Sequence, residues 1–366
     1  MKYDVVINGQ VLSLPMTGIP RYAWEMMKAL DNMDELPFKA AVVVPHNSTV
    51  DYDFKHLDLI KIKSFEHDIF YTTKVLKRVA SVVWTYITPE KFAKDNEALY
   101  VCFASKGPFY KKSLSTMHDI RPITYGEGKL TRQSLSFIAK FYATYKLALR
   151  NSKVLVTVSR FQKNEIKRYS NYDNVKVIGC GWEHMNETGT DETVFERYPQ
   201  IKKGEYYFCV SSIAPHKNFE WIVKNAEKNH QNQYVIVGKT SPNMWGEDTS
   251  VFKDNIIWLG FQSDEVVKAL LQSAKALVFP SKYEGFGIPP LEALALGTPA
   301  IVSDIPVMRE IYGDSVSYID PENPDMSLDI VQTEESIKAR AEVLEKHSWK
   351  NSAMQWLELI KDNIQP

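Results

Sequence analysis

Disulfide scaffolds, zinc sites and membrane-spanning helices each leave a mark that this sequence lacks. Three cysteines, Cys102, Cys180 and Cys209, occur in 366 residues. They are too few and too scattered for a disulfide framework or a cysteine-based zinc site. Each lies in or beside an apolar run and reads as a small buried hydrophobe, which fits a reducing compartment. No run approaches the roughly 18–20 apolar residues a spanning helix needs. The opening MKYDVVINGQ has neither the apolar core nor the cleavage pattern of a signal peptide, and reads as a short strand. The chain is therefore expected in the cytoplasm, soluble or peripheral on the inner face of the cell membrane. Repeats and low-complexity stretches are absent. No candidate strand is followed directly by G-x-G-x-x-G, which argues against a nicotinamide-dependent dehydrogenase. Asp51-Tyr52-Asp53 has the D-x-D spacing of some metal sites, but it sits early in a polar loop and reads as a solvated turn. No metal and no cofactor are expected.

What is present is a globular α/β pattern. The length fits two domains of roughly 150–180 residues each. The net charge of −1 hides a split, with +10 over residues 1–180 and −11 over residues 181–366. Halves of opposite sign imply different partners. A basic half suits anionic lipid or a lipid-diphosphate acceptor. No nucleic-acid-binding motif accompanies the charge, so no nucleic acid is expected. Short β-branched runs alternate with helical patterns. Strands are predicted at Val5–Ile7, Ala41–Val44, Leu99–Cys102, Leu155–Val158, Val175–Ile178, Tyr206–Val210, Tyr234–Val237, Ile256–Trp258, Ala276–Phe279 and Pro299–Val302. Buried strands alternating with helices predict parallel, doubly wound sheets. The polar stretch Cys180–Gly204 is the expected break, giving domains 1–180 and 181–345. An amphipathic helix in 346–366 is expected to pack back towards the first domain.

The residues from Pro280 to Asp304, PSKYEGFGIPPLEALALGTPAIVSD, carry the chemistry. A strand ends at Pro280, and a loop with Gly285 and Gly287 leads to Pro289, Pro290 and a helix that stops at Gly297. Proline at a helix start and glycine after its end are the expected punctuation. Such a loop presents backbone N–H groups and the positive end of a helix dipole, which bind phosphate. It also lies at the carboxyl end of a strand, where open α/β sheets bind ligands. Glu284 and Glu292 suit sugar hydroxyls, because a carboxylate can accept two at once. From spacing alone, a routine βα turn with two solvated glutamates remains open.

EGFGIPPLE resembles the E-x7-E signature of family 4 of the retaining GT-B glycosyltransferases, and further matches follow in the family's order. TGIPRY at Thr17–Tyr22 resembles its first glycine loop. STMHDIRP holds His118 and Asp119 where the family has a His-Asp pair. VTVSRFQKNEI, VSSIAPHKN and HSWKNSAMQWL resemble its later segments. The resemblance implies two Rossmann-like domains facing across a cleft, the first binding the acceptor and the second a nucleotide sugar. It implies donor contacts from Gly18, Arg21, Ser212, His216, Lys217, Glu284, Gly285, Phe286, Gly287, Ile288 and Glu292. Glu292 would bind the ribose, Glu284 the sugar, and Lys217 the departing diphosphate, whose growing charge a cation stabilises. His118 would position the sugar. Catalytic roles thus fall on His118, Lys217 and Glu284. Ser212 and His216 stand where many relatives carry an arginine, and a neutral histidine supplies less charge there. Lys217 then acts alone, or Arg21 or another basic residue compensates.

The activity implied is retaining, metal-independent transfer of a hexose or deoxyhexose, GDP-mannose favoured, to a lipid-linked or polysaccharide-precursor acceptor of the cell surface. A non-catalytic sugar-nucleotide-binding partner subunit and a GT-B enzyme such as a nucleotide-sugar epimerase are the alternatives. Two helices carry basic and aromatic residues that suit either an anionic membrane surface or an ordinary core-facing helix with a basic outer face. Lys74–Tyr86 sets Leu76, Val79, Ala80, Val83 and Trp84 against Lys74, Lys77, Arg78 and Ser81. Phe137–Arg150 mixes Phe137, Phe141, Tyr142 and Tyr145 with Lys140, Lys146 and Arg150.

Overall fold

Every strand pairing described is parallel. The structure is a computed structural model describing residues 2–63, 74–124, 132–210, 214–238, 254–328 and 333–364. The side chains of 74–82 and 132–136 lie outside that description.

The chain divides between Cys180 and Gly181, and the C-terminal stretch from Trp349 rejoins the first unit. In chain order, unit 1 runs β1 (Val5–Asn8), α1 (Gly18–Asp31), β2 (Ala40–Pro45), β3 (Leu57–Ile62), α2 (Lys74–Asp95), β4 (Leu99–Ser105), β5 (Ser113–Thr116), α3 (Arg121–Thr124), α4 (Arg132–Asn151), β6 (Val154–Thr157), α5 (Arg160–Ser170) and β7 (Val175–Val177). The strands order as β3-β2-β1-β4-β5-β6-β7. β1, β4, β5 and β6 are buried along almost their whole length. Helices on both faces of a parallel sheet leave its inner strands no wet side, so they read as apolar runs. β3 and β7 lie at the edges and are only part-buried. Asp31, fully buried at the end of α1, accepts from the N–H groups of Lys55, His56 and Leu57 at 3.0, 2.8 and 3.1 Å. One carboxylate thus fixes the entry of β3.

The C-terminal helix spans Trp349–Ile364, starting later than position 346. Its Trp356, wholly buried, donates Nε1–H to the Tyr22 hydroxyl at 2.9 Å. Tyr22 in turn donates to the Ile178 carbonyl at 3.3 Å. The helix is thereby bolted to α1 and to the end of β7 within unit 1.

Unit 2 runs α6 (His184–Glu187), α7 (Thr193–Arg197), β8 (Tyr206–Val210), α8 (Phe219–Lys228), β9 (Gln233–Val237), β10 (Ile256–Trp258), α9 (Asp264–Gln272), β11 (Ala276–Phe279), α10 (Ile288–Leu296), β12 (Ala300–Ser303), α11 (Pro306–Tyr312), β13 (Ser317–Ile319) and α12 (Glu334–Lys346). Its strands order as β10-β9-β8-β11-β12-β13. Tyr207, Trp221, Ile222, Tyr234, Ile236 and Val278 are among the residues of its core. Both sheets reverse direction once, between β1 and β4 and between β8 and β11. In open α/β sheets the ligand crevice lies outside the carboxyl ends of the strands at such a point.

Candidate functional site

The chain leaves β8 and β11 side by side, and the loops after these two strands carry the candidate residues. Lys217 lies after β8, and Glu284 lies between β11 and α10. Strand order therefore brings together two segments far apart in sequence. Lys217 Nζ lies 2.6 Å from Glu284 Oε1, with the two side chains 20% and 10% exposed. The ammonium also sits 5.5 Å from the centre of the Phe279 ring. Two further bonds stitch the loops together. The Lys282 N–H donates to the His216 carbonyl at 2.7 Å, and Asn218 donates its side-chain amide to the Pro280 carbonyl at 3.1 Å. Asn218 adopts the left-handed conformation, with φ of 56°, which asparagine tolerates better than most residues. It closes the turn that carries Lys217 and also bonds the Pro321 carbonyl at 2.7 Å. Sequence reading passed over Asn218; a lone asparagine after His-Lys was the only sign.

Gly287 begins α10 with φ of 90°, and a Cβ there would meet Met308 Cε at 2.7 Å. The conformation requires glycine at this position, whereas the Met308 methyl at the far end of its flexible side chain could move aside. The Tyr312 hydroxyl bonds the Gly287 carbonyl and steadies the turn. Ile288, Pro289 and Pro290 form the first turn of α10. Two prolines there remove two of the N–H groups that a helix start normally offers. The phosphate-binding expectation thus narrows to the loop. The Phe286, Gly287 and Ile288 N–H groups take no acceptor among the described residues. Successive unpaired backbone N–H groups form a concave site for an anion. Gly285 is half-buried in the same loop.

Glu292 follows on α10, 13% exposed at its side chain, with Oε1 at 2.9 Å from Nε2 of the buried His184. His216 is also buried. Ser212 lies outside the described residues.

Unit 1 holds the other candidates. His118 follows β5 and is buried. Its Nε2 lies 2.8 Å from the Phe103 carbonyl. A carbonyl only accepts, so Nε2 carries the proton and Nδ1 keeps its lone pair. Burial pulls the His118 pKa down to about 4, against a smaller upward pull from the Phe103 carbonyl. The ring is therefore neutral near pH 7 and able to accept a hydrogen bond at Nδ1. Tyr22 packs edge-on against it, ring centres 4.8 Å apart. Gly18 opens α1, and a Cβ there would meet nothing within 4 Å, so packing inside the chain does not demand glycine. Arg21 joins a charge ladder on α1, 3.9 Å from Glu25, which reaches Lys28 at 2.9 Å. Asp51 and Asp53 are exposed, and Tyr52 between them packs on Trp24 and Phe54 at 5.6 and 4.8 Å.

Known proteins supply the comparison. Residues 190–348 match the model of the glycosyl transferases group 1 family. The O-antigen chain mannosyltransferase RfbU of Salmonella typhimurium is 32% identical over 331 residues, covering 87% of each chain. The chain belongs to this family. It is a glycosyltransferase of GT-B fold. O-antigen chain mannosyltransferase B of Escherichia coli is 25% identical over 399 residues, covering 98% of this chain and 99% of that one. The crystal structure of WaaG, a glycosyltransferase involved in lipopolysaccharide biosynthesis, superposes with a TM-score of 0.62 at 15% identity, covering 97% and 95% of the two chains. At that identity the likeness speaks for the fold alone. Lys217 and Glu284 stand on the loops beside the β8–β11 switch point, where the ligand crevice of such a sheet lies.

Proposed function

We propose that this glycosyltransferase moves mannose from GDP-mannose, with retention and without a metal, to a lipid-linked or polysaccharide-precursor acceptor in cell-surface glycan synthesis. One observation carries the reading. A cation, a carboxylate and three open N–H groups converge on the loops at the carboxyl ends of β8 and β11. A diphosphate needs the cation and the N–H groups; a sugar needs the carboxylate. Lys217 stabilises the departing nucleoside diphosphate, Glu284 holds donor hydroxyls, and Glu292 holds the ribose. His118, neutral with Nδ1 accepting, orients the sugar and supplies no positive charge. The choice of mannose follows the names of the two mannosyltransferase relatives.

The acceptor and any membrane contact fall to unit 1. The face of Lys74–Tyr86 expected to meet a membrane lies largely on side chains outside the described residues. In α4, Phe137 and Tyr142 are exposed while Tyr145 is buried. The expected aromatic stripe therefore splits, with Phe137 and Tyr142 turned outward beside exposed Lys140, Lys146 and Arg150. That outward set supports contact with anionic lipid or a lipid-diphosphate acceptor.

The test is to incubate the purified chain with GDP-mannose and a lipid-diphosphate-linked glycan acceptor in excess EDTA and follow GDP release and product anomer. Expected are GDP release, an axial product linkage and a larger melting shift with GDP than with UDP, ADP or TDP. No release with GDP-mannose, or activity restored only by a metal, would overturn the reading.

A further inference from the structure

We infer that His184 is a positioning residue that presets the Glu292 carboxylate for the nucleotide ribose. The inference rests on the reading of Glu292 as the ribose-binding group. It goes beyond that reading by assigning work to a residue that no motif marks.

His184 and Glu292 belong to different elements, α6 and α10, whose side chains meet at 2.9 Å. The carboxylate oxygen only accepts, so His184 Nε2 is the donor and the tautomer is set. The histidine is 2% exposed, whereas Glu292 keeps 13% of its side chain open. One partner is thus buried as a support and the other reaches towards solvent, where a ligand arrives. The support is itself held. The His184 carbonyl accepts from both the N–H and the hydroxyl of Thr188, at 2.9 and 2.8 Å. Lys268 Nζ then bonds the Thr188 carbonyl at 2.6 Å. Just upstream, Trp182 donates its indole N–H to the Leu344 carbonyl at 2.9 Å. These bonds fix the backbone that carries the imidazole.

A vicinal diol is gripped best by a carboxylate whose plane is already turned towards both hydroxyls. The terminal torsion of glutamate is broad and weakly preferred. An unsupported Glu292 would sample many planes and lose ordering entropy when ribose binds. A bond from a buried, immobile donor removes most of that freedom beforehand.

The discriminating ligands are GDP and 2′,3′-dideoxy-GDP, with UDP and its dideoxy counterpart run in parallel so that the outcome does not hang on the base. Calorimetry on the 366-residue chain gives the Kd values. The wild type should prefer the ribose form. His184→Ala should weaken the ribose form roughly tenfold, the worth of one hydrogen bond to a charged group, and leave the dideoxy form unchanged. His184→Gln, whose amide can replace the Nε2 donor, should recover most of the loss. With donor sugar, His184→Ala should raise KM and spare kcat. Equal weakening of both forms would make His184 a structural residue only, and no weakening of either would overturn its role altogether. If the wild type itself fails to prefer ribose, or Glu292→Gln costs nothing, the reading of Glu292 fails and His184 with it. A melting scan of each variant separates these results from misfolding.

Discussion

Glu284→Gln should bind GDP more tightly than the wild type while transferring sugar more slowly. In the free protein Glu284 and Lys217 neutralise each other at 2.6 Å. At an effective dielectric of about 20, that separation corresponds to about 6 kcal/mol of Coulomb attraction. Desolvation and side-chain ordering cancel most of it, leaving about 1 kcal/mol net for a largely but not fully buried pair. A diphosphate that recruits Lys217 must compete with this residual. Glutamine keeps the shape of the side chain and removes its charge, so the competition disappears. An effect of about 1 kcal/mol corresponds to roughly five- to tenfold tighter GDP binding. The donor hydroxyls lose a charged acceptor, worth about 1.5–3 kcal/mol, so transfer should slow by roughly ten- to a hundredfold. The free variant should also melt lower, because its ammonium has lost the carboxylate. Calorimetry with GDP, initial rates of GDP release and melting scans read the three effects. Raising the salt should shrink the affinity gain. If Glu284→Gln binds GDP no better than the wild type, Lys217 is not the cation that meets the diphosphate.

Two further outcomes follow from unit 1. His118 is held neutral by burial, with its pKa lowered to about 4 from 6.5. The folded state therefore refuses a proton that the unfolded state takes up, so stability is full above about pH 6.5 and falls as pH drops towards 4. His118→Gln should flatten that part of the stability–pH curve, and the wild-type kcat/KM profile should show no step from this histidine between pH 5 and 8; a step that vanishes in the variant would refute the neutral assignment. Trp356→Phe removes the buried indole donor to Tyr22 at 2.9 Å and leaves a void, which should cost about 2–3 kcal/mol in a denaturant melt. A cost under about 0.5 kcal/mol would mean that the C-terminal helix is not anchored through this residue.

Local punctuation was legible in the sequence, and pairings set by strand order were not. Ala276–Phe279, Gly287 and Gly297 can be read because an apolar run, a glycine with φ of 90° and a glycine with φ of 87° each leave their mark at one place. β5 escaped because Ser113, Ser115 and Thr116 look like a polar loop, yet all three are fully buried. Ser113 donates to the Asn151 carbonyl at 3.3 Å, whereas the Ser115 and Thr116 hydroxyls find no partner among the described residues; the strand stays in the sheet because its backbone pairs with β4 and β6. That omission matters, since β5 is the strand that delivers His118. β3 and β13 escaped for a different reason: they are part-buried at the sheet edges, and polar residues such as Asp58, Lys61 and Ser317 interrupt their apolar signature. His184 is harder still, because its partner lies 108 residues further on and α6 is a single turn with no periodicity to read. The Lys217–Glu284 pair is an intermediate case. Each residue stands at the carboxyl end of a readable strand, but only the order β9-β8-β11-β12 makes those two ends neighbours. A doubly wound sheet reverses between the first strand and a later one of the same unit. Applying that rule to the strands predicted from Tyr206 onward already sets Tyr206–Val210 beside Ala276–Phe279, so the nearness of the two loops follows from topology once the strands are known, while the ion pair depends on how the loops turn. No such rule reaches His184, whose contact depends on how one turn of helix seats against α10.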